Sequence, residues 1–174
     1  MVMLAHEDVY ARIVDELGAY LERELALALG DCLRVGGSLS SALCEADLWG
    51  VRRQSWPPNC AVGIASDEPY SGVFLGVRAP NPTGKGVVAS DEQGCPERAR
   101  IDRAARRVSG GRRTQWWPWW QSAEPAYWGN EFAARLVLGS PTGKVADNPD
   151  AQDLARRLVE LAEAIDQELK EAAA

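Results

Sequence analysis

The apolar residues of this chain recur at two different periods, and the switch between them bounds what it can fold into. From residue 6 to 29, Val9, Ile13, Leu17, Tyr20, Leu21 and Leu25 stand three and four apart, the spacing of one face of a helix. Glu7, Asp8, Asp15, Glu22 and Glu24 fall mostly off that stripe, and Gly30-Asp31 closes it. Gly18 costs about 1 kcal/mol against Ala in a helix interior, so it marks a place for another element to pack closely. Between 32 and 79 the helical spacing disappears. Short segments at 32–35, 45–53, 60–65 and 72–78 are separated by Gly36-Gly37, Pro57-Pro58-Asn59 and Glu68-Pro69. Such runs between turn formers predict an antiparallel meander of three to four strands. In the last of them Val73, Leu75 and Val77 share one face, and Phe74 and Gly76 the other.

Helical spacing returns at 97–108, with Ile101, Ala104, Ala105 and Val108 on one side, and Gly110-Gly111 stops it. A short helix is expected over 130–138. Asn148-Pro149-Asp150 opens a last one whose apolar face is Leu154, Leu158, Leu161, Ile165 and Leu169. The fold class is therefore α+β. A single domain is expected over 1–174: helix 6–29, meander 32–79, a long loop 80–96, and a helical part 97–174 holding a tryptophan-rich segment. The tail Ala172–Ala174 is expected to fray.

Several chemistries lack their parts. His6 is the single histidine, expected to be exposed, which makes hydrolytic triads and histidine zinc sites hard to build. Cys32, Cys44, Cys60 and Cys95 are widely spaced without a Cys-x-x-Cys pair, and residues 1–10 lack the basic-then-apolar order of an export signal. Reduced thiols in the cytoplasm of a bacterial or phage-infected cell are the expectation, with no metal and no cofactor. No apolar run has the length of a membrane span. Pro-Thr-Gly-Lys occurs at 82–85 and again at 141–144. Neither copy has the upstream glycine or the following Ser/Thr of a phosphate-cradling loop, and both read as turns.

The charge is unevenly spread. Residues 97–113 hold seven arginines against Glu97 and Asp102, or +5, so with a net charge of −6 the remainder carries −11. Arg100, Arg103 and Arg107 lie at helical spacing as a stripe, with Arg106, Arg112 and Arg113 nearby. The stripe suits phosphates or an acidic partner, or else the acidic helices of the same chain. Trp116, Trp117, Trp119, Trp120 and Trp128 follow it. Most tryptophans in such a cluster anchor an irregular segment to the core, which leaves one or two rings for recognition. Glu45 and Asp47 stand two apart on an expected strand, so both carboxylates would share a face; with Glu16 they form an alternative acidic set for a divalent metal.

The strand Phe74-Leu75-Gly76-Val77-Arg78, the basic helix, the run Trp116-Trp117-Pro118-Trp119-Trp120, Trp128 and the terminal amphipathic helix together resemble uncharacterised proteins related to the PD-(D/E)XK nuclease superfamily. The likeness covers roughly residues 70 to 170, and the order helix, meander, helix agrees with it. It implies a strand acid, for which Asp47 could stand, followed by Glu-x-Lys or Asp-x-Lys on the next strand to hold Mg²⁺. Neither 60–66 nor 73–78 offers that pair. The resemblance thus implies an inactive relative kept for binding. The function expected is that of a non-catalytic macromolecule-binding protein, such as a phage-type anti-defence (anti-CRISPR-like) inhibitor or an accessory factor of a nucleoprotein complex. Its partner would be a protein or nucleoprotein, with nucleic acid on the arginine helix as another occupant. The alternatives are a divergent Mg²⁺-dependent nuclease using Glu16, Glu45 and Asp47, and a homo-oligomeric structural protein, a homodimer for example, paired through its terminal helices.

Overall fold

The switch in period is realised as helices packed on a sheet in a computed structural model that describes residues 2–80 and 96–171. The loop expected over 80–96, with the first Pro-Thr-Gly-Lys copy and Cys95, lies outside the described residues except at its two ends. So do the His6 side chain and Ala172–Ala174. The second Pro-Thr-Gly-Lys copy is a turn, as expected, with Gly143 at φ 75°.

Five strands form one sheet in the order β1-β2-β3-β4-β5, every neighbouring pair antiparallel. They are β1 (Cys32–Val35), β2 (Trp49–Arg53), β3 (Ala61–Glu68), β4 (Ser71–Arg78) and β5 (Trp119–Ser122). The fold is α+β, as the periods require. The sheet has one strand more than the four segments of the expected meander, because β5 comes from the tryptophan-rich segment of the region expected to be helical. The segment at 45–53 is also corrected. Its first residue ends a helix, α2 (Leu39–Glu45), which buries Leu39, Ala42 and Leu43. Ser38 caps this helix by accepting from the Ser41 N–H, and Ala46 ends it in the left-handed region at φ 51°. Glu45 and Asp47 therefore never alternate along a strand.

The long helix α1 (Val2–Leu29) lies against α2, β1, β2 and the last helix, α5 (Pro149–Glu171). Its buried stripe is Tyr10, Val14, Leu17, Leu21, Leu25 and Leu29, rotated from the expected one; Val9 is 45% exposed, and Ile13 and Tyr20 are half-buried. Gly18 explains the rotation. A Cβ there would stand 3.0 Å from Leu39 Cβ and 3.7 Å from the Trp49 ring, so α1 crosses α2 and β2 at the glycine and turns that side inward. The face of α5 is as expected, with Leu154, Leu158, Leu161, Ile165 and Leu169 all buried. The apolar stripes of the two terminal helices are thus covered within one chain, where the oligomer alternative had them pairing between chains.

Alternation along the strands divides the sheet faces. Trp49, Val51, Val62, Ile64, Val73, Leu75, Val77 and Trp119 join the helices in the main core. The opposite face carries Leu48, Ala61, Ala65 and Phe74, with Val35, Trp117 and Trp120 packed against them. Across its middle, Gly50 pairs with Gly63 and Gly63 with Gly76, a row of three glycines on adjacent strands.

One side chain joins two helices. Buried Asn148 donates through Nδ2 to the carbonyls of Arg135 (2.9 Å) and Leu136 (3.0 Å) near the end of α4 (Asn130–Leu138). Its Oδ1 accepts from the N–H groups of Asp150 (2.8 Å) and Ala151 (3.2 Å), capping α5, whose first residue, Pro149, has no N–H to satisfy. Asn148→Ala strips both helix ends of their partners and is expected to cost about 2 kcal/mol. Asn148→Asp, which keeps the acceptor, should cost less in the same denaturant titration. An unchanged midpoint in the alanine variant would remove the double cap as a stabilising device.

Candidate functional site

The basic helix α3 (Pro96–Arg107) buries Ile101, Ala104 and Ala105 and packs on α5. That contact consumes part of the arginine stripe. Arg100, half-buried, donates to the Leu169 carbonyl at 2.6 Å, where a cation meets the last turn of α5. Arg107 bonds Glu168 at 3.0 Å and lies 3.8 Å from Glu171. Arg98 is spent on Asp102 and on the carbonyls of Pro80 and Gln115. Arg103 is exposed and has contacts of its own. The side chains of Arg106 and Arg113 are exposed and take part in no ion pair or hydrogen bond among the described residues.

After α3 the chain doubles back beside the sheet. The N–H and carbonyl of Arg112 both pair with Trp120, at 2.7 and 2.9 Å, and Thr114 Oγ1 accepts from the N–H groups of Trp116 and Trp117. The Arg112 guanidinium lies 5.6 Å from the Trp120 ring centroid, a cation over an aromatic face. The tryptophans divide by depth. Trp119 and Trp128 are buried, the latter stacked on Phe132 at 4.3 Å and donating to the Pro125 carbonyl. Trp117 lies edge-on to Phe74 at 4.9 Å and over Gly76, where a Cβ would stand 2.9 Å from its ring. Trp120 is half-buried on the same face. Trp116 alone of the run is more than half exposed, at 53%. Of the expected partner-binding set, Arg112, Arg113 and Trp116 therefore stand on one accessible hairpin between α3 and β5, Arg106 is exposed in the last turn of α3, and Arg100, Trp119 and Trp128 serve the interior.

The alternative acids are not gathered. Glu16 on α1 accepts from the Val145 N–H at 3.3 Å, Glu45 accepts from Ser41 Oγ at 3.3 Å, and Asp47 accepts from the Leu48 N–H at 2.7 Å. Among the described residues no three His, Cys, Asp or Glu side chains are placed to hold a metal ion. Cys32, Cys44 and Cys60 are free thiols, and burial pushes that of Cys60 up to about 12, an unreactive state. No helix among the described residues is long and apolar enough to cross a membrane.

A second concavity was invisible in the sequence because its parts come from distant segments. Tyr10, Tyr70 and Tyr127 line a groove of about 570 Å³ with Ser41, Glu45 and Asn130. Each ring is held differently. Tyr10 donates its hydroxyl to the Trp128 carbonyl at 2.6 Å. Burial, with Tyr70 and Tyr127 beside it, pushes that hydroxyl well above its ordinary pKa, so it remains a donor. Tyr70 sits in the β3–β4 turn at φ 60°, its N–H bonded to the Leu43 carbonyl, with its ring edge-on to Tyr10 at 5.3 Å. The hydroxyl end of the Tyr127 ring packs on Gly129, where a Cβ would meet its hydroxyl and ring at 2.5 Å, yet Tyr127 is 58% exposed. The one available sequence signal was Pro69-Tyr70, a turn pair with a bulky residue where glycine is easiest.

No protein-family model, no curated protein and no solved structure matches this chain.

Proposed function

We propose that this is a non-catalytic macromolecule-binding protein that presents the tip between α3 and β5 to the phosphates and bases of a nucleoprotein complex. The observation carrying the reading is that, among the described residues, the exposed side chains of Arg106 and Arg113 have no ion pair or hydrogen bond, and that the hairpin holding Arg113 also presents an Arg112–Trp120 stack and the exposed Trp116. Unpaired guanidinium groups attract phosphates, and an exposed indole offers a stacking surface for an unpaired base. The acidic remainder of the chain repels nucleic acid elsewhere, which confines the contact to this tip. Such a protein suits the role of an inhibitor or accessory factor, including the anti-defence role of a phage product.

The test is a fluorescence-anisotropy titration with a labelled single-stranded oligonucleotide, run beside capture from a lysate with and without nuclease. Arg106→Glu/Arg113→Glu is expected to weaken binding by about 10-fold or more near 0.1 M salt and to flatten its salt dependence. Both side chains are exposed, so the fold should be untouched. Equal affinity in wild type and double variant would take the tip out of the reading. The pair Arg103 and Arg107 is the poorer choice, since reversing Arg107 places a carboxylate against Glu168 and Glu171 and disturbs the packing of α3 on α5.

A further inference from the structure

We propose that the tyrosine-lined groove binds an organic cation, an alkylated ammonium group of the kind carried by choline or by a methylated lysine side chain. The groove and the arginine tip lie at opposite ends of β4: Ser71 bridges to Tyr127, whereas Val77 pairs with Trp119. The two sites are therefore separate.

Charge selects the sign of the ligand. No arginine, lysine or histidine is among the described residues that line the groove, and Glu45 supplies a carboxylate. Asp15 stands next to it, accepting from the Ser40 N–H at 2.9 Å. An anion would meet the Glu45 carboxylate in the lining, with the charge of Asp15 behind Ser40. A neutral apolar ligand would strip water from Glu45 without compensation. A cation gains from both the carboxylate and the negative faces of the rings.

Aromatic content selects the kind of cation. A small, strongly hydrated ion draws little from tyrosine faces, whereas an alkylated ammonium spreads its charge over methyl groups that pack on them. The positioning of the rings also fits a site prepared in advance. Tyr70 takes the left-handed conformation, which is strained for a residue with a side chain, in a turn where glycine would be free of the strain. Such retained strain gathers where a side chain must be aimed. Gly129 in turn lets the Tyr127 ring lie on the backbone, at an orientation any larger residue would forbid.

The probes are choline and its uncharged isostere 3,3-dimethylbutanol, followed by calorimetry and by chemical shifts of tyrosine ring resonances. Choline is expected to saturate with a Kd on the order of 1 mM, and the neutral isostere to bind at least about 10-fold more weakly. Tyr127→Ala should abolish the choline response, and Glu45→Gln should weaken it several-fold. Both residues are exposed, and an unchanged circular dichroism spectrum will confirm that the fold is retained. A trimethyl-lysine peptide compared with its unmethylated form separates the sources. Tighter binding than choline assigns the site to a protein tail, and weaker binding to a free small molecule. Equal binding of choline and its isostere, no saturable response, or a full response in Tyr127→Ala would each overturn the proposal.

Discussion

Gly63→Ala is expected to lose at least about 3 kcal/mol of stability, lowering Tm by about 10 °C for a chain of this size, or to prevent folding outright. The cause is collision and not backbone freedom. A Cβ at Gly63 would run into the Trp49 carbonyl oxygen and stand 2.6 Å from the Gly50 Cα, both in the backbone of β2. Backbone atoms inside a paired ladder cannot swing aside as a side chain can. Gly50 answers from the other strand, where a Cβ would reach Val62 O and come within 2.9 Å of the Gly63 Cα. Gly143→Ala is the control. Its φ of 75° carries strain, but nothing lies within 4 Å of the added atom, so a cost of about 1 kcal/mol is expected. Thermal melts of the two variants read the difference directly. Similar losses in both would show that the sheet yields at the glycine pair.

The second large effect is expected at Asp166, a buried carboxylate on α5 facing the end of β2 and the turn that follows it. It accepts from Trp56 Nε1 at 2.8 Å and Arg53 Nη1 at 2.8 Å, and Lys170 Nζ lies 2.6 Å away. Burial alone would raise its pKa, but the bonds from Lys170 and Trp56 and the charge of Arg53 outweigh it, and the pKa is lowered. A carboxyl with a lowered folded pKa stabilises the fold above its unfolded value near 3.9, and that contribution is lost as pH falls through the folded pKa. Asp166→Ala leaves an indole N–H and a half-buried guanidinium without their partner, and is expected to cost about 3 kcal/mol at neutral pH. Its stability should also fall less steeply below pH 4 than that of the wild type. Urea midpoints for both proteins between neutral and acid pH check the two expectations together; parallel pH curves would separate Asp166 from the acid sensitivity of the fold.

The long helices were readable because each repeats its apolar residues through many turns, so a single misplaced position hardly matters. Even so, the phase of α1 was off, since a glycine adds no hydrophobic signal and yet decides which side faces inward. Helix α2 was missed for its brevity: two turns containing Ser40, Ser41 and Cys44 look like a polar connection, and the cap at Ser38 becomes meaningful only with the helix in view. Strand β5 hid behind Pro118 and four tryptophans, whose bulk gives no alternation to read. The arginine stripe was legible as charge, but its division into Arg100 and Arg107, held by α5, and Arg106 and Arg113, left outside, depends on where α5 lies. The groove needs Tyr10, Tyr70 and Tyr127 to meet, and sequence separation conceals that entirely.

The pairing of α1 with α5 also bears on how the protein is made. Leu17, Leu21 and Leu25 have no cover from the last helix until residues 149–171 have left the ribosome. At ordinary synthesis speeds that delay is on the order of ten seconds. Throughout it the nascent chain shows an apolar helix face and a half-covered sheet, the surfaces that chaperones capture and that neighbouring nascent chains can adhere to. A message truncated before residue 149 would yield a product held in that condition, one that cells dispose of and do not use.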